Sequence, residues 1–120
     1  MTVSIDLFRN ANDVETYAAG HRIFEEGSEG GDRMYGVKEG LVEILVHGAH
    51  VEAVGPGGIF GEMSLIDSSR RSATAIAKTD CVVVPVDAKR FNFLVQQTPM
   101  FALQVMRIMA DRLRRMDARI

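Results

Sequence analysis

Short runs of β-branched and aromatic residues alternate with glycines through the first two thirds of the chain. These runs predict strands at Val14–Tyr17, Arg22–Phe24, Met34–Val37, Val42–Val46, Val51–Val54, Ala73–Ala77 and Val82–Val86. Eleven glycines punctuate them, from Gly20 to Gly61, and none follows. Strands this short, with turns at such close intervals, predict an all-β sandwich or barrel. Gly48, between Val46 and Val51, suits a hairpin turn. Gly55-Pro56-Gly57-Gly58 predicts a sharp loop that delivers the chain to Phe60.

Beyond Pro85 the pattern changes to helical spacing. Asp87 predicts an N-cap for a helix over Ala88–Gln97. Thr98-Pro99 predicts the start of a second helix, with threonine as cap and proline at the first helical position, running toward the C-terminus. A short N-terminal helix is expected over Ile5–Asn10. On the last helix Ala102, Met106, Met109, Leu113, Met116 and Ile120 recur at intervals of 4, 3, 4, 3 and 4, a heptad seam. Phe101, Val105 and Ile108 form an adjacent stripe. One stripe is expected to cover the β-domain and the other to meet a partner helix, giving a homodimer through the C-terminal helix. The alternative is that both stripes enter one intramolecular core. The expected organisation is a single domain over residues 1–120, with a β-rich part over about 14–86 and C-terminal helices over about 88–118.

Composition narrows the classes. Hydrophobic residues make up 47% and charged residues 25% of the 120, ordinary for a folded globular chain. A net charge of -2 provides no general attraction to nucleic acid or anionic membrane. No apolar run approaches the roughly 18 residues of a membrane span. The first residues lack the basic and apolar regions of a secretory signal. A cytoplasmic, non-membrane protein is expected. The single cysteine, Cys81, excludes an internal disulfide framework and reads as a small buried hydrophobe in a strand. Arg112, Arg114, Arg115 and Arg119 suit the negative end of the helix dipole. They have no interleaved aromatics and no following DNA-reading domain, so direct DNA binding is not expected. His47 and His50 flank Gly48 with no evident carboxylate beside them, and no metal site is expected.

The chemistry concentrates in Phe60-Gly61-Glu62-Met63-Ser64-Leu65-Ile66-Asp67-Ser68-Ser69-Arg70-Arg71-Ser72-Ala73-Thr74. A glycine-led turn or helix start offers exposed amides to an anion, and Gly61 with the start of Glu62–Leu65 can supply them. Arg71 adds a permanent charge and a fork that matches two phosphate oxygens. Ser72 can add a hydroxyl and an N–H, and Ala73 keeps the wall low. Glu62 repels a phosphate but can accept from a ribose hydroxyl, and can also hold Arg71. Arg70 is the neighbouring alternative, but Arg71 abuts the two small residues. The segment points to a cyclic-nucleotide receptor rather than an enzyme.

This segment resembles the phosphate-binding cassette of the cyclic-nucleotide-binding domain family, which includes the bacterial catabolite activator protein, protein kinase A regulatory subunits and cyclic-nucleotide-gated channels. The matching positions are Phe60, Gly61, Glu62, Met63, Ser64, Leu65, Arg71, Ser72, Ala73 and Thr74. Gly20–Gly27, Met34–Ile44 and Pro99–Arg114 resemble the family's early strand pair, central hairpin and C-terminal helix. The resemblance implies a mainly β fold with flanking helices, a jelly-roll-type β-roll followed by C-terminal helices. It implies that Glu62 binds the ribose 2′-hydroxyl and Arg71 the cyclic phosphate. Gly61, Met63 and Ser64 would add backbone contacts, and Ser72 would touch phosphate or base. Ile44, Val54, Phe60 and Ala73 would line the pocket.

Two features depart from the pattern. The family's C-terminal helix often supplies a polar cap for the base, and here that region offers Met116 and Asp117, with Arg112 as a candidate base contact one turn earlier. Relatives that favour cGMP often carry threonine where Ser72 stands, so cAMP is the expected ligand over cGMP. The chain also stops after the C-terminal helix. It is expected either to act as a stand-alone sensor for an unknown downstream protein or to be the sensory part of a larger regulator. A nucleotide-silent dimerisation module of the same fold is the alternative.

Overall fold

The computed structural model describes residues 8–67 and 69–117. Eight strands run β1 Glu15–Tyr17, β2 Arg22–Phe24, β3 Arg33–Glu39, β4 Val42–Val46, β5 Ala49–Val54, β6 Ile59–Phe60, β7 Thr74–Ala77 and β8 Cys81–Asp87. Helix α1 (Glu62–Asp67) interrupts them after β6, and α2 (Ala88–Gln97) and α3 (Met100–Asp117) close the chain. The strands form two antiparallel four-stranded sheets, ordered β1-β8-β3-β6 and β2-β7-β4-β5.

Alternation along β3 and β8 shows how the layers stack. Tyr35, Val37, Cys81 and Val83 face the second sheet and join Val42, Val54, Phe60, Ala75 and Ala77 in one core. Met34, Val84 and Val86 face the other way and meet Phe8, Ile59, Phe101, Val105 and Ile108 in a second core, under the helices. The first sheet is therefore buried on both faces, and β8 reads Cys-Val-Val-Val-Pro-Val without a polar break. Pro85 is tolerated inside β8 because β1 pairs only with residues 81–83, so no ladder bond is lost on that side. Gly36 is required on β3, since a Cβ there would lie 2.4 Å from the Phe8 ring.

The predicted β-to-helical division is present. Helix α2 has the expected bounds, and the Asp87 side chain accepts from the Arg90 amide at 2.8 Å. Helix α3 begins at Met100, one residue past Pro99. The hairpin loop is His47-Gly48 alone, because Val46 pairs with Ala49. Both loop residues have positive φ, 52° and 79°, the geometry of a two-residue hairpin turn. His47 has a carboxylate partner after all: Glu26 accepts from its amide at 2.8 Å and lies 3.1 Å from its ring Nδ1. His50 similarly lies 2.9 Å from Glu43. Cys81 is buried, as expected. The helix expected over Ile5–Asn10 lies largely outside the described residues.

The two stripes of α3 separate. Phe101, Val105 and Ile108 are buried in the helix-side core. Of the heptad seam, Met106 is 57% and Leu113 60% exposed, and Ala102 and Met109 are half-buried. Met109 packs against that core, so the seam is absorbed only in part, with Met106 and Leu113 left outside it. The side chains of Met116 and Asp117, and residue Ile120, lie outside the described residues.

Candidate functional site

A pocket of about 610 Å³ opens between the β4–β5 hairpin, α1, the residues preceding β7 and the end of α3. Phe60, Gly61, Glu62, Met63, Ser64, Arg71, Ser72, Ala73, Ile44 and Arg112 all line it. Most of its remaining wall is apolar, with Val46, Val51, Met109, Ala110 and Leu113. Val54 does not reach the pocket. It pairs with Val42 and is 4% exposed in the inter-sheet core. The pocket wall begins two residues nearer the hairpin, where Ile44 pairs with Glu52. The pairing shifts register between Ile44 and Leu45, and Val51, beside that shift, lines the pocket too.

Arg71 is 5% exposed. Its Nη1 donates to the Gly61 carbonyl and its Nη2 to the Arg33 carbonyl, each at 3.0 Å. Its guanidinium lies 4.0 Å from the centroid of the Phe24 ring. Phe24 in turn packs against Tyr35 and Phe60, whose rings stack at 5.2 Å. Burial pulls Arg71 below the ordinary arginine value, and the Arg33 charge acts in the same direction. Backbone and ring therefore hold Arg71, not the Glu62 carboxylate anticipated for that task. Arg70 is exposed and donates to the Gly27 carbonyl, away from the pocket.

Gly61 has φ 77°, and a Cβ there would lie 2.8 Å from Arg71 Nη1. The glycine thus permits both the left-handed turn into α1 and the close passage of the guanidinium. Glu62 and Ser64 are buried, at 6% and 2% exposure, while Met63 between them is 42% exposed.

Glu62 pairs with Arg112 of α3, whose Nη1 donates to its Oε1. The same guanidinium makes a two-point contact with Glu52 of β5, Nε to Oε1 at 2.9 Å and Nη2 to Oε2 at 3.2 Å. Its Nη2 also donates to the Ile59 carbonyl. Desolvation works against the Arg112 charge, but Glu62 and Glu52 outweigh it and raise its pKa. Arg112, expected as a base contact, therefore ties α3 to the β-roll at the pocket.

Glu52 and Phe24 are site residues not anticipated from sequence. Glu52 had one available signal: strand pairing places it opposite the pocket-facing Ile44. Phe24 had none, because its role depends on where Arg71 lies. Among the described residues no group of three or more His, Cys, Asp and Glu side chains is placed to hold a metal ion. The arrangement can receive an anion beside Arg71 and a hydroxyl beside Glu62, against an apolar wall.

A buried arginine and a buried glutamate thus lie on one largely apolar pocket beside the strands. The Cyclic nucleotide-binding domain family matches residues 14–98, and the chain belongs to that family. A cAMP-dependent protein kinase regulatory subunit of Eremothecium gossypii is 37% identical over 86 residues, covering 72% of this chain and 19% of that protein. The crystal structure of Thermus thermophilus catabolite activator protein superposes with a TM-score of 0.77 at 32% identity, covering 88% of this chain and 52% of that one. A structure from a cyclic-GMP-dependent signalling pathway that regulates bacterial phytopathogenesis gives 0.73 at 29% identity, covering 84% of each chain. The fold is the family's β-roll with C-terminal helices. The chain spans about a fifth of the length of the kinase regulatory subunit it matches. Among the described residues no helix is long and apolar enough to cross a membrane.

Proposed function

We propose that this chain is a cyclic-nucleotide receptor module, not an enzyme, that takes cAMP in preference to cGMP and signals through rearrangement of α3. The observation that carries the reading is that Arg71 and Glu62, both buried, line one pocket whose wall is largely apolar. Arg71 binds the cyclic phosphate, aided by backbone groups of Gly61, Met63 and Ser64 and by Ser72. Glu62 accepts the ribose 2′-hydroxyl. Phe60, Ile44, Val46, Val51 and Ala73 give the sugar and base an apolar surface.

Serine at position 72 supports the preference for adenine, as does the relationship to a cAMP-dependent regulatory subunit. The likeness to a structure from a cyclic-GMP pathway makes cGMP the competitor to test. Arg112 gives α3 a direct stake in the site, because the carboxylate that would receive the sugar also receives this helix. A ligand that favours one placement of α3 shifts its population by the difference in affinity. The exposed seam of α3 is the surface through which a homodimer, and an unidentified downstream protein, would sense that shift. The setting is cytoplasmic.

Calorimetric titration with cAMP, cGMP and a cyclic dinucleotide tests the reading. Saturable one-site binding is expected, tightest for cAMP. No heat with any of the three, and no rise in melting temperature at saturating ligand, would leave only a nucleotide-silent dimerisation module of this fold. Tighter binding of cGMP would overturn the preference alone.

A further inference from the structure

Glu52 is a pocket-lining carboxylate on β5, in register with Ile44 and two residues from the core residue Val54. Its side chain is 15% exposed. A charge in such a place is costly unless paired and hydrogen-bonded. Arg112 provides both, through two parallel N–H···O contacts that fix the plane of the guanidinium. The Ile59 carbonyl accepts from the same group. Arg115 Nη2, which donates to Asp111 at 2.6 Å, also lies 3.7 Å from Glu52 Oε2 and extends the network of alternating charges.

With two of its nitrogens committed to Glu52, Arg112 has its third, Nη1, directed at Glu62 Oε1. One oxygen of Glu62 is therefore held, and the rotation of its carboxylate is restricted. Oε2 is the oxygen left for a ligand hydroxyl. Without Glu52, the guanidinium would meet Glu62 with its plane no longer set by the β5 carboxylate.

We propose that Glu52 is a positioning residue which, acting through Arg112, orients the Glu62 carboxylate toward the ribose 2′-hydroxyl. The inference rests on the receptor reading above and adds a residue from a strand outside the cassette. Its consequence is selective. Glu52 should govern discrimination between a ribose and a 2′-deoxyribose, rather than the grip on the phosphate, which belongs to Arg71.

The test compares cAMP with 2′-deoxy-cAMP by calorimetry, or the corresponding guanine pair if cGMP binds more tightly. Wild-type protein should prefer the ribonucleotide by about 10-fold or more, as expected for a hydrogen bond to a charged acceptor. Glu52→Gln, which keeps the shape and removes the charge, should reduce that preference to about 3-fold or less, almost wholly by weakening the ribonucleotide. Arg112→Gln interrupts the same chain from the other side and should do likewise, so the test survives if one variant does not fold. The double variant should lose no more discrimination than either single one, because both act on one contact. Equal weakening of both nucleotides by Glu52→Gln would show a merely structural role and overturn the proposal, as would unchanged discrimination. Wild-type protein that binds the two sugars equally would remove the role of Glu62 and the proposal with it. Wild-type protein that binds neither cAMP nor cGMP would instead bring down the receptor reading itself, and this inference with it.

Discussion

Arg71 lies with its guanidinium 4.0 Å from the centroid of the Phe24 ring and donates to the Gly61 and Arg33 carbonyls on either side. Neutral groups thus hold a buried cation in the pocket, leaving its charge to attract an anion. Arg71→Ala should weaken cyclic-nucleotide binding by about 2–5 kcal/mol, the usual effect of removing one partner from a buried charge pair. Phe24→Leu should weaken it by about 1 kcal/mol through loss of the cation–π contact. Titration calorimetry separates the two. Unchanged affinity in Arg71→Ala would remove Arg71 from the phosphate site.

Gly61 is coupled to the same guanidinium. Gly61→Ala must place a side chain at φ 77° and bring a Cβ to 2.8 Å from Arg71 Nη1. The backbone term is about 1–2 kcal/mol of stability, read as a lower urea midpoint. The larger effect should fall on ligand affinity, since the flexible end of Arg71 is what moves. A variant with lowered stability but wild-type affinity would show that Arg71 has room to accommodate the methyl group.

What was legible in the sequence was local. The residues Phe60–Thr74 are contiguous, so one reading of glycine, carboxylate and guanidinium brought most of the pocket into view. Asp87 caps α2 as expected because the cap and the amide that donates to it lie three residues apart. Helix α1 and strand β6, six and two residues long, are too short to show a period of their own. The family resemblance implies a pocket position for Val54, but pairing with Val42 puts it two residues deeper. Glu52 was missed for another reason. A charge on a strand reads as outward-facing until its partner is known, and Arg112 lies 60 residues away.

Tyr17 makes a pH prediction at the far edge of the β-roll. Burial first, and then its hydrogen bond to Glu15, raise its pKa from 10.0 to about 12. The folded chain therefore keeps the phenolic proton over a range in which the unfolded chain loses it. Stability from this group is fully present below pH 10 and declines as pH rises toward about 12. Tyr17→Phe cannot titrate. Its urea midpoint should gain on wild type between about pH 9 and pH 11.5. A constant difference across that interval would show that Tyr17 titrates alike in both states.

Helix α3 leaves Met106 57% and Leu113 60% exposed, while Phe101 and Val105 on the neighbouring stripe are 0% and 2% exposed. An apolar seam on the helix that carries Arg112 is suited to pack against its own copy across a two-fold axis. Met106→Glu would set like charges against each other in such a pairing. The variant should sediment as a monomer where wild type sediments as a dimer, with its folding stability altered by no more than about 0.5 kcal/mol, because the side chain is exposed within the monomer. The association should also respond to nucleotide. Where dimerisation favours one placement of α3, a ligand that binds one placement more tightly must change the dimer constant, and dimerisation must change ligand affinity by the same factor. Sedimentation velocity with and without cAMP measures both. A wild-type chain that stays monomeric at every concentration, with and without ligand, would assign the seam to a different partner.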